Sequence, residues 1–361
     1  QVHKLGDYSL SWCSNLSELK LPSALRELGF KALLNCRGLT ELEFPEGLER
    51  LPSGAVDKCS GLKRITLPST IKQIDNAFMP LEATLEQIKV KPNNQVYADR
   101  EGILFSADYR VLLEYPCGRR EQTYAIPEGT EILGNGAFYG NQFLRELIFP
   151  ASLRRIERDA LAESKLNKLE IPLTVQEIGL GCFRGIKEVF IYDNLDLSGK
   201  IKPGNGFLSL RSRQNGEILY RIWLGAGRED SAYSRLLGEV FGQKANLDGQ
   251  KLDDYFPRLQ NPANQYRLAL ARLEYPWELS SKAEQVYRNF WQEHWEEILA
   301  DWIKRDNLDD LLTAEKLGLL GADKIQALIE VANSRQAFKF VTELLNYQNQ
   351  HFELSEDDWD I

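Results

Sequence analysis

The sequence predicts an α/β-type repeat solenoid, a right-handed superhelix of short strands, followed by a mostly helical domain. Three observations carry that expectation. An apolar pattern returns every 23 residues through the first half, an Asn-Gly hairpin signal sits at 215–216, and a helical period takes over from about residue 230.

Rows of 23 residues show the repeat. Leu16, Leu39, Leu62 and Leu85 share one column, Leu19, Leu42, Ile65 and Ile88 a second, and Leu21, Phe44, Leu67 and Val90 a third. Apolar alternation over so short a span suits a half-buried strand. Pro22, Pro45 and Pro68 follow, and proline ends a strand because it cannot donate to a ladder. Leu28, Leu51 and Ile74 come next, then the pairs Ala32-Leu33, Ala55-Val56 and, one place early, Ala77-Phe78, which fill the tapered convex side. The pattern resumes from Ile126 through "LRELIFPASLRRIERDALAES" to Ile191. One coil cannot bury its own face, so neighbours must stack. "LGDYSLSWCSNL" reads as the second half of a repeat, with Leu5 and Gly6 where Leu28 and Gly29 fall. The expectation is therefore a fragment or processed chain with at least half a repeat upstream.

The period also accounts for Cys13, Cys36 and Cys59, each 23 residues after the last. Reduced cysteine behaves as a small apolar residue, so a buried column of free thiols is expected. A zinc site lacks a second thiol pair at finger spacing and a nearby His. Disulfides between coils would leave an odd thiol among the five cysteines. Cys182 falls in an alanine column and Cys117 in a loop.

The repeated unit, L-x-x-L/I-x-L/F-P-x-x-L/I-x-x-L/I-x-x-x-A-F/L-x-x-C-x-x-L, resembles the BspA-like class of bacterial leucine-rich repeats. "VYADREGILFSADYRVLLEYPCG" resembles that family's recurrent interruption and reads as a strand pair, 103–105 and 111–115, turning through 106–110. The resemblance implies a leucine-rich repeat superhelix and a non-enzymatic protein-binding module. It further implies a bacterial protein displayed at the cell surface or secreted, in adhesion or interaction. A cytoplasmic scaffold or regulator with the same repeat face is the alternative.

Four segments are expected: the repeat solenoid over 1–198 with its hairpin interruption at 93–120, a linker and capping hairpin over 199–228, a helical domain over 229–352, and an acidic tail over 353–361, expected to be disordered. Asn215-Gly216 supplies the positive φ values of a tight turn between alternating runs. Tyr233, Leu236, Leu237, Val240 and Phe241 mark one helical face, and a second helix with Leu268, Ala269, Arg272 and Leu273 ends before Pro276. Ser281 and Glu284 read as a capping box for a long helix striped by Val286, Tyr287, Phe290, Trp291, Trp295, Ile298, Leu299 and Trp302. "DKIQALIEVAN" and "RQAFKFVTELLNYQN" resemble an ankyrin-like helical hairpin.

Charge is unevenly placed. Residues 1–192 carry 24 Lys and Arg against 25 Asp and Glu, and the remainder 20 against 28, within a net charge of −9. An acidic second half argues against nucleic acid as a partner. No apolar run is long enough for membrane insertion. The three histidines, His3, His294 and His351, lie far apart in sequence, and "WQEHWEE" lacks the HExxH spacing of a zinc helix, so no catalytic residue, cofactor or metal is assigned. "GNGAFYG" and "GLGCFRG" look like loose phosphate loops, but the repeat explains both.

A binding surface remains. Outward strand positions form two columns, Glu18, Glu41, Arg64, Gln87, Thr123, Glu146, Lys168, Glu188 and Lys20, Glu43, Thr66, Lys89, Ala125, Ile148, Glu170, Phe190. Apart from Thr123, Ala125, Glu188 and Phe190, these residues constitute the candidate face for a protein ligand. The plain reading beside it is a solvated sheet surface. Ile148 and Phe190 break the polar trend and are expected either to pack on later elements or to meet the ligand.

Overall fold

The computed structural model describes residues 2–75, 84–192, 207–212, 214, 217–223, 249–259, 261–276 and 278–352. The Asn215-Gly216 turn, the helical face at 233–241 and the acidic tail lie outside them. The chain divides into two compact units, one built mainly from Gln1–Leu208 and the other mainly from Ser209 onward.

The first unit is a β-solenoid of about eight turns. Its strands are β1 (Lys4–Leu5), β2 (Glu27–Leu28), β3 (Glu41–Glu43), β4 (Arg50–Leu51), β5 (Arg64–Leu67), β6 (Gln73–Ile74), β7 (Gln87–Val90), β8 (Tyr97–Arg100), β9 (Ile103–Ser106), β10 (Val111–Glu114), β11 (Thr123–Ala125), β12 (Ile132–Leu133), β13 (Glu146–Ile148), β14 (Arg155–Ile156), β15 (Lys168–Glu170), β16 (Glu177–Ile178) and β17 (Glu188–Tyr192). The 23-residue period becomes the ladder register, since Leu42 faces Ile65 and Ile65 faces Ile88 in parallel strands. Those three side chains are buried, as are Leu25, Leu39, Leu48 and Leu62 behind them. Leu5 pairs with Leu28, as the half-repeat reading requires.

Each regular coil also carries a second, two-residue strand. Leu28, Leu51, Leu133, Ile156 and Ile178 form this second column, with β4–β6 and β12–β14–β16 in parallel register. Two residues are too few to show alternation, so the sequence reading saw one strand per coil.

A sharp turn closes the convex side. It holds two residues with positive φ four positions apart: Lys31 and Asn35, Gly54 and Lys58, Gly136 and Gly140, Asp159 and Glu163. The Ala-apolar pair between them points inward, with Ala137 and Phe138 fully buried. "GNGAFYG" is this turn, and its glycines supply the left-handed backbone that other side chains adopt at a cost.

The interruption contains the expected strand pair as β9 and β10, and adds a strand ahead of it. It holds three strands, β8, β9 and β10, joined antiparallel, and β10 then pairs in parallel with β12. The insert is thus an added hairpin within one coil, and β10 takes that coil's place in the second ladder. Tyr115 N–H donates to the Ala137 carbonyl, which continues the stack.

The thiol column is corrected at one end. Cys36 and Cys59 are fully buried, and each donates its thiol to a carbonyl 26 residues earlier, Leu10 and Leu33, both at 3.1 Å. Cys13 is exposed and shows no such bond. All five cysteines are free. Burial pushes the thiols of Cys117 and Cys182 up to about 12. In native protein at neutral pH, Cys13 should react with a maleimide at the rate of a free thiol while the other four stay protected. Fast labelling of Cys36 or Cys59, read by peptide mass, would overturn the column.

The second unit contains strand β19 (Ile218–Trp223), which neighbours β18 (Phe207–Arg211) in a sheet. Its helices are α1 (Gly249–Tyr255), α2 (Pro262–Glu274), α3 (Ser281–Arg305), α4 (Leu308–Lys316), α5 (Ala322–Ser334) and α6 (Phe338–His351). The cap of α3 is Ser280 rather than Ser281. Its Oγ accepts from the Ala283 N–H, while Glu284 pairs with Arg288 instead of reaching back. Trp291 and Trp302 pack at 5.5 Å in the core, and His294 stacks on Phe290, its Nδ1 3.0 Å from the Phe290 carbonyl. Arg272, fully buried, is held by Asp253.

Candidate functional site

The first-strand column positions the candidate face. Strand pleating turns Leu42, Ile65 and Ile88 inward, so the residues on either side of each must turn outward. Register then sets Glu41 beside Arg64 beside Gln87, and Glu43 beside Thr66 beside Lys89. Glu41, Glu43, Arg64 and Lys89 are exposed, whereas Thr66 and Gln87 are half-buried. Arg64 pairs with Glu41 across the ladder. Glu43 is bridged by Lys91, whose Nζ lies 2.6 Å from Glu43 and 3.8 Å from Glu46. The hydrogen bond to Glu43 raises the Lys91 pKa despite some opposing desolvation. The sequence reading missed Lys91, although it lies two residues past Lys89 and alternation places it on the same face.

Glu18 and Lys20 are exposed as expected, but residues 18–20 form no strand, so they extend the column without joining the ladder.

In the second half of the face, Thr123 pairs with Glu146 and Ala125 with Ile148. Thr123 Oγ1 donates to Glu146 Oε2 at 3.2 Å. Ile148 stays 51% exposed, an apolar step in a charged surface. Lys168 pairs with Glu188 and Glu170 with Phe190, and Lys168 and Glu170 are exposed. Phe190 is buried, with the Lys168 ammonium 4.6 Å from its ring centre, so the packing alternative holds for Phe190 and not for Ile148.

The inserted hairpin divides this face. β3–β5–β7 form one sheet and β11–β13 another. The Gly102 carbonyl accepts from the Ile88 N–H at 2.9 Å, and Asp99 Oδ1 accepts from the Val90 N–H at 2.7 Å. Gly102 has φ +80°, and a Cβ there would lie 2.5 Å from Gln87 Cγ, which is why glycine turns this corner. Arg119 ties the corner down, donating to the Glu101 carbonyl at 2.6 Å and to Glu121 at 2.7 Å. Among the described residues, no group of three or more His, Cys, Asp or Glu side chains is placed to hold a metal.

The repeat geometry has a counterpart among known families. The model of the BspA type leucine rich repeat region matches six copies over residues 1–100 and 117–200. The chain belongs to this family. The unmatched stretch at 101–116 covers β9 and β10, the inserted part of the BspA-type array. Solved structures similar to this chain include a leucine-rich repeat protein from Eubacterium ventriosum, 18% identical, covering 54% of this chain and 58% of that one with a TM-score of 0.45. The pneumococcal vaccine antigen PcpA is 26% identical over 58% of this chain and 57% of its own, with a TM-score of 0.46. A leucine-rich cell surface protein from Faecalibacterium prausnitzii is 17% identical over 59% and 70%, with a TM-score of 0.40. The chain therefore spans somewhat more than half the length of the first two. No curated protein matches it. BspA-type repeats generally serve as protein-interaction modules rather than enzymes. No helix among the described residues is long and apolar enough to cross a membrane.

Proposed function

We propose that this chain is a non-enzymatic protein-binding module of a bacterial surface protein, acting in adhesion or interaction and reading its ligand on the first-strand face. The observation that carries the proposal is the registered double column of outward side chains, most of them charged, on a rigid parallel ladder. Non-identical repeats give such a column a different charge at each step over a broad area, which suits a protein surface better than a small molecule. Surface display accords with the habit of the family. A cytoplasmic scaffold is the second reading, favoured by five free thiols.

The test reverses charge on the face. The triple variant Glu41→Lys, Glu43→Lys, Arg64→Glu keeps the Glu41–Arg64 attraction in swapped form and breaks the Glu43–Lys91 contact. Stability should change by at most about 1 kcal/mol, because exposed pairs contribute little. Affinity for a captured partner, from host matrix proteins or a lysate, should fall about tenfold or more, since like charges now oppose across the interface. The control reverses Glu293, Glu296 and Glu297 on α3. Loss of binding in the control alone would move the binding site to the second unit.

A further inference from the structure

The two halves of the strand face end differently where the hairpin parts them. Glu146 donates its N–H to the Gln122 carbonyl, and Ile126 donates to the Ile148 carbonyl. A parallel ladder uses alternate residues, so Gln122, Tyr124 and Ile126 bond β13. Thr123 and Ala125 turn their N–H and C=O groups the other way. Among the described residues nothing bonds those four backbone groups. Both residues are exposed, and none of β7, β8 and β9 pairs with β11. Across the gap the outward N–H groups of Ile88 and Val90 are satisfied by Gly102 and Asp99. The insert caps the edge of β7 and leaves that of β11 bare, and a bare edge is a template for another strand.

An open groove of about 580 Å³ lies at the segment that leads into β11, lined by Glu86, Gly118, Arg119, Arg120 and Glu121. Arg119 is engaged by Glu101 and Glu121. Arg120 is exposed, rests 5.8 Å from the Phe143 ring centre and has no carboxylate partner among the described residues.

We propose that β11 is a docking edge for an extended peptide, which adds as a strand beside Thr123–Ala125 and sets an acidic side chain on Arg120. The proposal rests on the reading of this face as the binding surface and names the chemistry of its partner. The unmet groups are paired main-chain donors and acceptors, which another main chain meets two residues at a time. An acidic residue is specified because Arg120, exposed three residues ahead of Thr123, has no carboxylate partner among the described residues. The edge is short, so the affinity of a single peptide is weak.

The experiment uses the isotopically labelled full chain and an acetylated, amidated peptide, Thr-Val-Thr-Glu-Thr-Val-Thr, with amide hydrogen exchange as the readout. The peptide should slow exchange at Thr123 and Ala125 and leave Tyr124, already bonded to β13, unchanged. Its Gln counterpart should bind about two- to fivefold more weakly, the weight of an exposed ion pair. Arg120→Glu should abolish that preference. Ala125→Pro removes an N–H that the ladder does not use, so it should end peptide protection at Thr123 without lowering the melting temperature. Should Ala125→Pro disturb folding, a peptide N-methylated at alternate residues replaces it and should give no protection. Protection of Thr123 and Ala125 in the free protein, or no change at millimolar peptide, overturns the docking edge. Equal binding of the Glu and Gln peptides overturns the acidic specification. If the peptide fails while the Glu41/Glu43/Arg64 variant still loses its partner, the face survives and the edge does not.

Discussion

Replacing Phe44 by Ala is expected to destabilise the solenoid by about 3–5 kcal/mol, the range for a fully buried aromatic cut to a methyl. Phe44 is fully buried, in the column that holds Leu21, Leu67 and Val90 in neighbouring coils. Its N–H is bonded to the Thr66 carbonyl at 3.0 Å, which fixes its backbone and limits collapse around the cavity. Each coil's interior is shared with the next, so the loss spreads along the stack rather than staying in one turn. Phe44→Leu, which removes less volume, should cost markedly less. Hydrogen exchange at Leu42 and Ile65 reports on the solenoid separately from the helical unit. A loss below about 1.5 kcal/mol would mean that the stack relaxes into the cavity, at odds with the usual cost of such a truncation.

Arg272→Met is expected to cost the helical unit about 3–5 kcal/mol, because it strands a carboxylate whose side chain is only 10% exposed. Arg272 on α2 has no exposed surface, and its Nε donates to Asp253 Oδ1 at 2.9 Å and its Nη2 to Oδ2 at 3.3 Å. The Tyr287 hydroxyl of α3 donates to the same Oδ1 at 2.6 Å, so three helices meet on one carboxylate. Burial first, and then the Asp253 hydrogen bond, hold the Tyr287 phenol well above its ordinary pKa. The damage comes from the unpaired charge and not from lost packing. The triple change Arg272→Met, Asp253→Leu, Tyr287→Phe should therefore recover most of the stability, as replacing a whole buried polar set often does. Urea unfolding of the full chain, followed by amide hydrogen exchange within α2 and α3, measures both. A triple variant no more stable than the single one would mean that the network's geometry, not its charge balance, carries the unit.

Much of the solenoid was legible because its signal is local and repeated. The columns headed by Leu16, Leu19 and Leu21 give coil length, strand position and interior in one step, and the structure keeps that register residue for residue. The helices α2, α3, α5 and α6 were legible from local signals such as the stop at Pro276, whereas α1 and α4 were not anticipated. Ser280 was missed as the cap of α3 because two serines adjoin and a fragment of sequence does not say which one leaves the helical backbone first.

The sequence by itself determined the 23-residue coil, its buried columns and the family to which the repeat belongs. Strand alternation also marked most of the outward positions, such as Glu41, Glu43, Arg64 and Lys89, although it put Phe190 among them and left out Lys91. The tertiary structure decided what those side chains do. Lys91 bridges Glu43 and Glu46, and Phe190 turns under Lys168. It likewise decided that the insert enters the second ladder, caps β7 and leaves β11 bare. The reason is range. A repeat period is a property of each residue and its near neighbours, whereas a sheet edge, an ion bridge and a buried Arg-Asp pair depend on which distant segments stacking brings into contact.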